Sequence, residues 1–237
     1  MKKLTWFHEL GFYNNPFSIK PAAFHNELMG YEKLVEEIND KVNNYSMLLI
    51  YGEYGTGKTT ILKEVINEFR GQRKVIYYNC NQDETTIDFD KLLINAGGFF
   101  SRLFRIRKNN MIMMLDEAQD MNKKDIKKSK EYFDEGYFKS VVFVSKIEDL
   151  KHIKEIEELV GDNKFKLGEI SKTDAIRLVR KRIGDMEFLQ DKIITKIFTK
   201  NKNPRNFLKN CEEVCRHAFE EGSTEVTDEH VKILNKK

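Results

Sequence analysis

Cysteine and proline are scarce in this sequence, with three of each among 237 residues. Cys80, Cys211 and Cys215 have neither the number nor the spacing of a disulfide framework or a zinc site. Cys211 and Cys215 stand four apart in a predicted helix, a spacing typical of small buried residues in a reducing compartment. The scarcity of proline, together with the lack of repeats and low-complexity tracts, indicates closely joined modules.

Long apolar runs are missing as well. No stretch approaches the roughly 20 residues that a membrane-spanning helix needs, and residues 1–5 lack the pattern of a signal peptide. The net charge is only +3, from 41 basic and 38 acidic residues, so a basic surface for nucleic acid could only be local. We expect a cytoplasmic protein without membrane insertion, built as one large domain or as a core with a small appendage.

Among what is present, a phosphate-binding motif is the most informative. The pattern G-x-x-x-x-G-K-[ST], known as Walker A, is matched by Gly52, Glu53, Tyr54, Gly55, Thr56, Gly57, Lys58 and Thr59. An apolar run at 46–51 precedes it and a helical pattern at 60–69 follows, which is the context that the motif requires. Glycines let the backbone wrap a phosphate, and the helix N-terminus attracts the anion. We expect these residues and Thr60 to bind ATP, with Lys58 at the β- and γ-phosphates and Thr59 on Mg²⁺.

The hydrophobic pattern alternates between strands and helices and then becomes helical only. Strands are predicted at residues 47–51, 74–79, 111–116, 141–145 and 164–167. Helices are predicted between them at residues 31–42, 59–69, 87–103, 123–138 and 149–159. Beyond Ser171, a predicted helix cap, helices are expected at residues 176–183, 188–199, 204–218 and 227–234. This order predicts an α/β P-loop NTPase core over residues 1–170, with an N-terminal linker and a parallel sheet between helices, and a small all-helical domain over residues 171–237.

A second motif, Walker B, follows the apolar strand at 111–115. Asp116 at the end of a buried parallel strand can hold Mg²⁺, and Glu117 beside it can activate water as a general base. Two acids in this position could instead only begin a helix, but the phosphate loop upstream favours a hydrolytic site. Ser145 ends the next strand, where it either orients water or the γ-phosphate or is a polar strand end without a role.

The order of these features resembles the AAA+ ATPases. Within that class the chain is similar to the group that contains origin-recognition ATPases, ExeA-type ATPases and TnsC-type transposition regulators. The resemblance rests on Asn15-Pro16-Phe17, on the Asp-Glu-Ala-Gln form of the second motif and on the helix start Asn203-Pro204-Arg205. It implies that Ser145 is sensor 1 and that Arg205 is sensor 2, the lid arginine that contacts the γ-phosphate. From the residues alone, Pro204 suits a first helical turn, where the helix dipole disfavours a cation such as Arg205.

One feature departs from the family pattern. AAA+ rings complete a neighbour's site with an arginine finger, yet the sequence has no arginine between Arg107 and Arg177. The candidates for a substitute are Lys151, Lys154 and Lys164, and lysine offers a point charge rather than a bidentate fork. Because such fingers raise rates by about 10³–10⁵-fold, we expect slow hydrolysis by the isolated chain.

Two clusters of basic residues, at 99–108 and 123–130, bear on the partner. They either follow a DNA backbone or consist of aromatics packed on the sheet and lysines on a solvated face. The first hypothesis is a DNA-associated loader, regulator or transposition-type helper that forms a homo-oligomer on double-stranded DNA with ATP. Since no winged helix follows the lid before Lys237, we expect no sequence-specific DNA binding. The alternative is a protein-binding ATP switch that docks a partner through Trp6, Phe7 and Phe12.

Overall fold

A computed structural model of the chain describes residues 5–19, 29–69, 74–82, 86–146 and 150–236. By its contacts the chain divides into two compact units. The sheet unit comprises Glu32–Tyr54 and Lys58–Leu167, and the helical unit comprises Met1–Tyr31, Gly55–Gly57 and Gly168–Lys237. The domain limits 1–170 and 171–237 stay a prediction.

The elements begin with helix α1 (Trp6–Glu9) of the helical unit. The sheet unit then contains α2 (Glu32–Asn43), β1 (Met47–Gly52), α3 (Lys58–Phe69), β2 (Val75–Asn79), α4 (Phe89–Ala96), α5 (Phe99–Phe104), β3 (Met111–Asp116), a 3₁₀ turn (Ala118–Asp120), α6 (Lys123–Asp134), β4 (Phe138–Lys146), α7 (Leu150–Val160) and β5 (Lys164–Leu167). The helical unit ends with α8 (Lys172–Ile183), α9 (Asp191–Lys200), α10 (Pro204–Glu220), α11 (Asp228–Val231) and a 3₁₀ turn (Lys232–Lys236).

The five strands form one parallel sheet in the order β2-β3-β4-β1-β5. Every residue of β3 is buried, as expected for an inner parallel strand covered on both faces. Because β4 lies between β1 and β3, the carboxyl ends of these three strands meet at one edge of the sheet. In this register Gly52 pairs with Lys146, and Asn79 of β2 pairs with Asp116. The predicted fold class, a P-loop NTPase sheet flanked by helices, is confirmed.

Two helix predictions in the sheet unit are wrong, both near glycines. The predicted helix at 87–103 is two helices, because Gly98 adopts a φ of +83° that an L side chain disfavours and the chain turns there. The predicted helix at 123–138 ends at Asp134, since Gly136 has a φ of +77° and Phe138 already begins β4. The strand predicted at 141–145 extends over residues 138–146. Residue 149, the predicted start of α7, lies outside the described residues.

The helical unit has its own apolar core. Phe207 on α10 is fully buried and meets Phe198 of α9 edge to face, with ring centroids 5.3 Å apart. Cys211 and Cys215 are buried in the same core, where burial raises the pKa of both thiols. They are therefore packing residues, as the sequence indicates. Among the described residues, no helix is long and apolar enough to cross a membrane.

The N-terminal segment packs on this core. Phe17 is buried there and stacks with Trp6, with ring centroids 6.2 Å apart. Arg182 of α8 donates hydrogen bonds to the carbonyls of Pro16 and Ser18. Trp6 and Phe12 are both packed against the helical core. The aromatic docking surface predicted at Trp6, Phe7 and Phe12 is thus largely occupied by the protein itself.

Candidate nucleotide site

The phosphate loop leaves β1 at Gly52, and α3 begins at Lys58. Gly55 and Gly57 have φ angles of +87° and +99°, in the region that favours glycine. A Cβ on Gly57 would meet no atom within 4 Å, so a ligand can approach its backbone closely. Thr56 is buried, while Thr59 and Thr60 lie in the first turn of α3. The N-terminus of a helix attracts anions, and the binding of ATP by residues 52–60 stays a prediction.

The side chain of Lys58 is folded over the start of the loop. Its Nζ donates hydrogen bonds to the carbonyls of Gly52 and Glu53, both at 2.8 Å. The ammonium group is thus held by neutral carbonyl oxygens that a phosphate oxygen could replace. Such an exchange is favourable, because a hydrogen bond between two charged groups is stronger than one to a neutral acceptor.

Asp116 ends β3 and is only 5% exposed. Its carboxylate accepts hydrogen bonds from the Tyr77 hydroxyl at 2.9 Å and from the Glu117 N–H at 3.0 Å. Burial raises the pKa of Asp116, although these two hydrogen bonds lower it. Because burial disfavours the charged form of the Asp116 carboxylate, a bound cation would stabilise that form.

A magnesium ion fits this position. Among the described residues, no three or more His, Cys, Asp or Glu side chains cluster as a closed metal cage would require. Mg²⁺ is commonly held by one or two carboxylates together with water and substrate phosphates. Asp116 supplies the carboxylate, and Thr59 has its hydroxyl on the exposed first turn of α3. The donor set suits a metal that arrives with a nucleotide.

Glu117 follows Asp116 in the left-handed region, with φ 54° and ψ 43°. It precedes the 3₁₀ turn, but its side chain makes no capping hydrogen bond. Its Oε2 atom instead accepts from Lys146 Nζ at 2.9 Å and from Gln119 Nε2 at 2.6 Å. Burial would raise the pKa of Glu117, but these hydrogen bonds and the charges of Lys146 and Lys58 hold it below its ordinary value. These contacts favour the charged form of Glu117, and its role as a general base stays a prediction.

Ser145 lies at the carboxyl end of β4 and is 1% exposed. Its hydroxyl donates to Gln119 Oε1 at 3.0 Å, and the Lys146 N–H donates to the same oxygen at 3.3 Å. Gln119, itself 7% exposed, therefore connects Ser145 to Glu117. The predicted sensor residue and the predicted base belong to one hydrogen-bonded group.

Arg205 lies in the first turn of α10, directly after Pro204. Its backbone N–H donates to Asn203 Oδ1 at 3.1 Å and to the Gly55 carbonyl at 3.3 Å. A Cβ on Gly55 would lie 2.7 Å from Arg205 Cβ, so only glycine leaves room here. Within the helical unit, Arg205 is therefore in contact with Gly55 of the predicted phosphate loop, and its role as sensor 2 stays a prediction.

Sequence reasoning missed three residues of this site: Tyr77, Gln119 and Lys146. Lys146 directly follows Ser145, and its place at a strand end was the available signal. Gln119 stands inside the second motif, yet nothing in the sequence indicates that it joins two strand ends. Of the substitutes considered for an arginine finger, Lys154 and Lys164 are exposed, and the side chain of Lys151 lies outside the described residues.

Helix α5 presents its apolar side to solvent. Phe99, Phe100, Leu103 and Phe104 share one face of the helix and are between 61% and 73% exposed. The opposite side carries Ser101, whose Oγ would lie 2.0 Å from a Cβ on Gly97. The interpretation that these aromatics pack a helix onto the sheet is therefore wrong.

Comparison with known proteins shows the family of this chain. Residues 44–168 match the AAA domain family, and the match spans just over half of the 237 residues. The chain therefore belongs to the AAA domain family. No curated protein matches the sequence.

Solved structures of other proteins share the fold at low sequence identity. Drosophila ORC bound to DNA is similar with a TM-score of 0.64 and 13% identity, over 94% of this chain and 65% of that chain. The Aeropyrum pernix ORC1 protein in complex with DNA is similar with a TM-score of 0.64 and 16% identity, over 88% of this chain and 65% of that chain. A Walker-type ATPase of Pyrococcus abyssi is similar with a TM-score of 0.60 and 16% identity, over 93% of this chain and 76% of that chain. The chain thus spans 65% of the length of the two origin-recognition proteins, and the likeness shows a shared fold.

Proposed function

We propose that this AAA domain protein binds Mg-ATP and hydrolyses it. The observation that carries the proposal is the meeting of Gly52, the acidic pair and Ser145 at one sheet edge. Lys58 exchanges its loop carbonyls for β- and γ-phosphate oxygens, and the loop N–H groups bind the remaining charge. Thr59 and Asp116 hold the magnesium ion, which neutralises charge on the phosphates when it is bound.

The chemical step follows from the state of Glu117. Its ionised carboxylate accepts a proton from water as the water oxygen attacks the γ-phosphorus. The bond from that phosphorus to the bridging oxygen breaks, and ADP and phosphate result. Ser145, hydrogen-bonded to Glu117 through Gln119, orients the water or the γ-phosphate, and Arg205 serves as sensor 2.

We further propose that the ATP-bound protein acts on double-stranded DNA as a loader, regulator or transposition-type helper. Two proteins that share the fold were solved with DNA. This chain carries no acidic residue from Lys91 to Leu115, and Arg102 and Arg105 of that stretch are exposed. On α6, Lys124 and Lys127 are exposed on the side opposite the buried Ile126. Such local positive charge suits a phosphate backbone despite the small net charge.

DNA binding is expected to require ATP and to weaken with salt. Fluorescence anisotropy with a labelled duplex and the Glu117→Gln form should show binding with ATP and at least tenfold weaker binding with ADP. The logarithm of the binding constant should fall linearly with the logarithm of the salt concentration. The size of this slope should decrease by about one for each phosphate-contacting cation removed, as in Arg105→Ala or Lys127→Ala. Lys139→Ala, on β4, is the matched control. Equal DNA affinity with ATP, with ADP and without nucleotide would count against this role.

A protein-binding ATP switch with slow turnover is the second candidate, and the outward apolar face of α5 favours it. Phe99, Phe100 and Phe104 beside exposed Arg102 have the aromatic and arginine chemistry of protein-binding hot spots. Its partner would offer an apolar groove with acidic edges. A partner that remains bound with ATP after nuclease treatment and is lost in the Phe100→Ser/Phe104→Ser double variant would favour this candidate over the DNA role.

ATP is also expected to drive self-association. The Arg205 backbone contacts the loop residue Gly55. As sensor 2, its guanidinium would pair with a γ-phosphate, which ADP lacks, and only such a difference can shift an equilibrium. Light scattering should show at least twice the monomer mass with a non-hydrolysable ATP analogue and a smaller mass with ADP. Arg205→Ala should reduce this difference, whereas Arg216→Ala on the same helix should not. Identical masses with both nucleotides would contradict the expectation.

A further inference from the structure

Lys146 lies at the carboxyl edge of the sheet, where β4 runs between β1 and β3. It is the last residue of β4, and its Cα pairs with Gly52, where the phosphate loop begins. On the other side of β4 lies β3, which ends at Asp116. Lys146 therefore stands between the loop that binds phosphate and the acids that serve the metal and the water.

The Lys146 side chain is turned toward the acids. Its Nζ lies 2.9 Å from Glu117 Oε2, and both side chains are about one-third exposed or less, at 30% and 27%. Gln119 donates to the same oxygen at 2.6 Å. Within the described part of the chain both contacts fall on Oε2, so Oε1 is the carboxylate oxygen available to accept a hydrogen bond from water. A base that is anchored through one atom and reactive at another is a recurrent arrangement in catalysis.

We propose that Lys146 is a positioning residue for ATP hydrolysis, which fixes the Glu117 carboxylate through Oε2 so that Oε1 takes the proton of the attacking water. The proposal rests on the ATP hydrolysis proposed above and adds the residue that orients the Glu117 carboxylate. Lys146 neither gives nor takes a proton in the step: the water proton goes to Glu117, the water oxygen bonds to the γ-phosphorus, and ADP leaves. The charge of Lys146 makes this anchor stronger than a neutral donor would.

The surroundings of Glu117 explain why an anchor is needed. Its backbone is in the left-handed region, uncommon for a residue other than glycine and maintained only where the structure holds it. The amide of Gln119 is shared, since its oxygen accepts from Ser145 and from the Lys146 backbone while its nitrogen holds Glu117. Lys146 thus contacts the network twice, through its backbone N–H and its ammonium group. The sequence has no arginine between Arg107 and Arg177. The cation beside the predicted base is therefore a lysine, and it belongs to the same chain as Glu117.

The test replaces the ammonium group and keeps the aliphatic stem. Lys146→Met is expected to lower kcat by about 10–100-fold, the scale of a misplaced reacting group. KM and the affinity for a non-hydrolysable Mg-ATP analogue should stay within about twofold, because Lys146 does not bind the nucleotide. Lys146→Arg should restore most of kcat. Lys139→Met, near the opposite end of β4, is the matched control and should hydrolyse ATP at the wild-type rate.

A double-variant cycle separates positioning from direct action. If Lys146 acts through Glu117, adding Lys146→Met to Glu117→Gln should lower single-turnover hydrolysis no further. A further loss, or a tenfold weaker analogue affinity, would mean that Lys146 contacts phosphate and would overturn the proposal. A raised or unchanged kcat in Lys146→Met, with normal wild-type hydrolysis, would overturn it while leaving the ATPase intact. Wild-type turnover no greater than that of Lys58→Ala would instead refute the hydrolysis on which the proposal rests.

Discussion

Replacing Glu117 with glutamine is expected to lower ATP turnover by about 100-fold or more while Mg-ATP still binds. Glutamine keeps the size of the side chain but cannot accept the proton of the attacking water. The metal-binding carboxylate of Asp116 is unchanged, and its hydrogen bonds from Tyr77 and from the backbone remain available. Phosphate release at saturating Mg-ATP measures the turnover, and titration with a fluorescent ATP analogue measures the binding.

A matched control for this variant is Glu131→Gln, an exposed carboxylate on α6. It removes the same charge from the same unit and should leave both turnover and binding near the wild-type values. If Glu117→Gln hydrolyses ATP as fast as the wild type, another group activates the water, and Glu117 serves only in the ion pair with Lys146.

Lys58→Ala is expected to weaken ATP binding at least tenfold, which corresponds to about 1.4 kcal/mol or more. Lys58 is the cation folded over the phosphate loop, where its Nζ is held at 2.8 Å by the carbonyls of Gly52 and Glu53. Alanine removes the only ammonium group of the motif that can follow the β- and γ-phosphates. Calorimetry or analogue titration with ATP and ADP measures the loss, which should be larger for ATP.

Lys63→Ala, one turn further along α3, is the control for charge on this helix. It should bind ATP with nearly wild-type affinity, since it stands outside the motif. Circular dichroism should show that both variants are folded. Unchanged ATP affinity in a folded Lys58→Ala protein would reject the assignment of residues 52–59 as the phosphate loop.

Sequence reasoning succeeded where the physics is local. The apolar run at 111–115 had to be an inner strand, because only a strand covered on both faces is buried at every residue, as β3 is. The cap at Ser171 is confirmed, since its side chain accepts from the Asp174 N–H three residues away. Pro204 begins α10 as predicted. Each of these features depends on residues that are neighbours along the chain.

Two further features could not be predicted in the same way. Residues 99–104 have the composition of a buried helix, yet their apolar face is exposed. Burial depends on which neighbour covers a face, and the turn at Gly97 and Gly98 directs Ser101 inward. The end of α6 was misplaced because the change from helix to strand depends on the conformation of a single glycine, Gly136.

The sequence by itself determined the phosphate loop, the acidic pair and the alternation of strands and helices, because each is written in consecutive residues with a fixed period. Only the tertiary structure decided that β4 lies between β1 and β3, which brings Lys146 and Ser145 to Gln119 and Glu117. The partner of a parallel strand is set by how the connecting helices pack on the sheet, a long-range property that no short stretch of sequence contains.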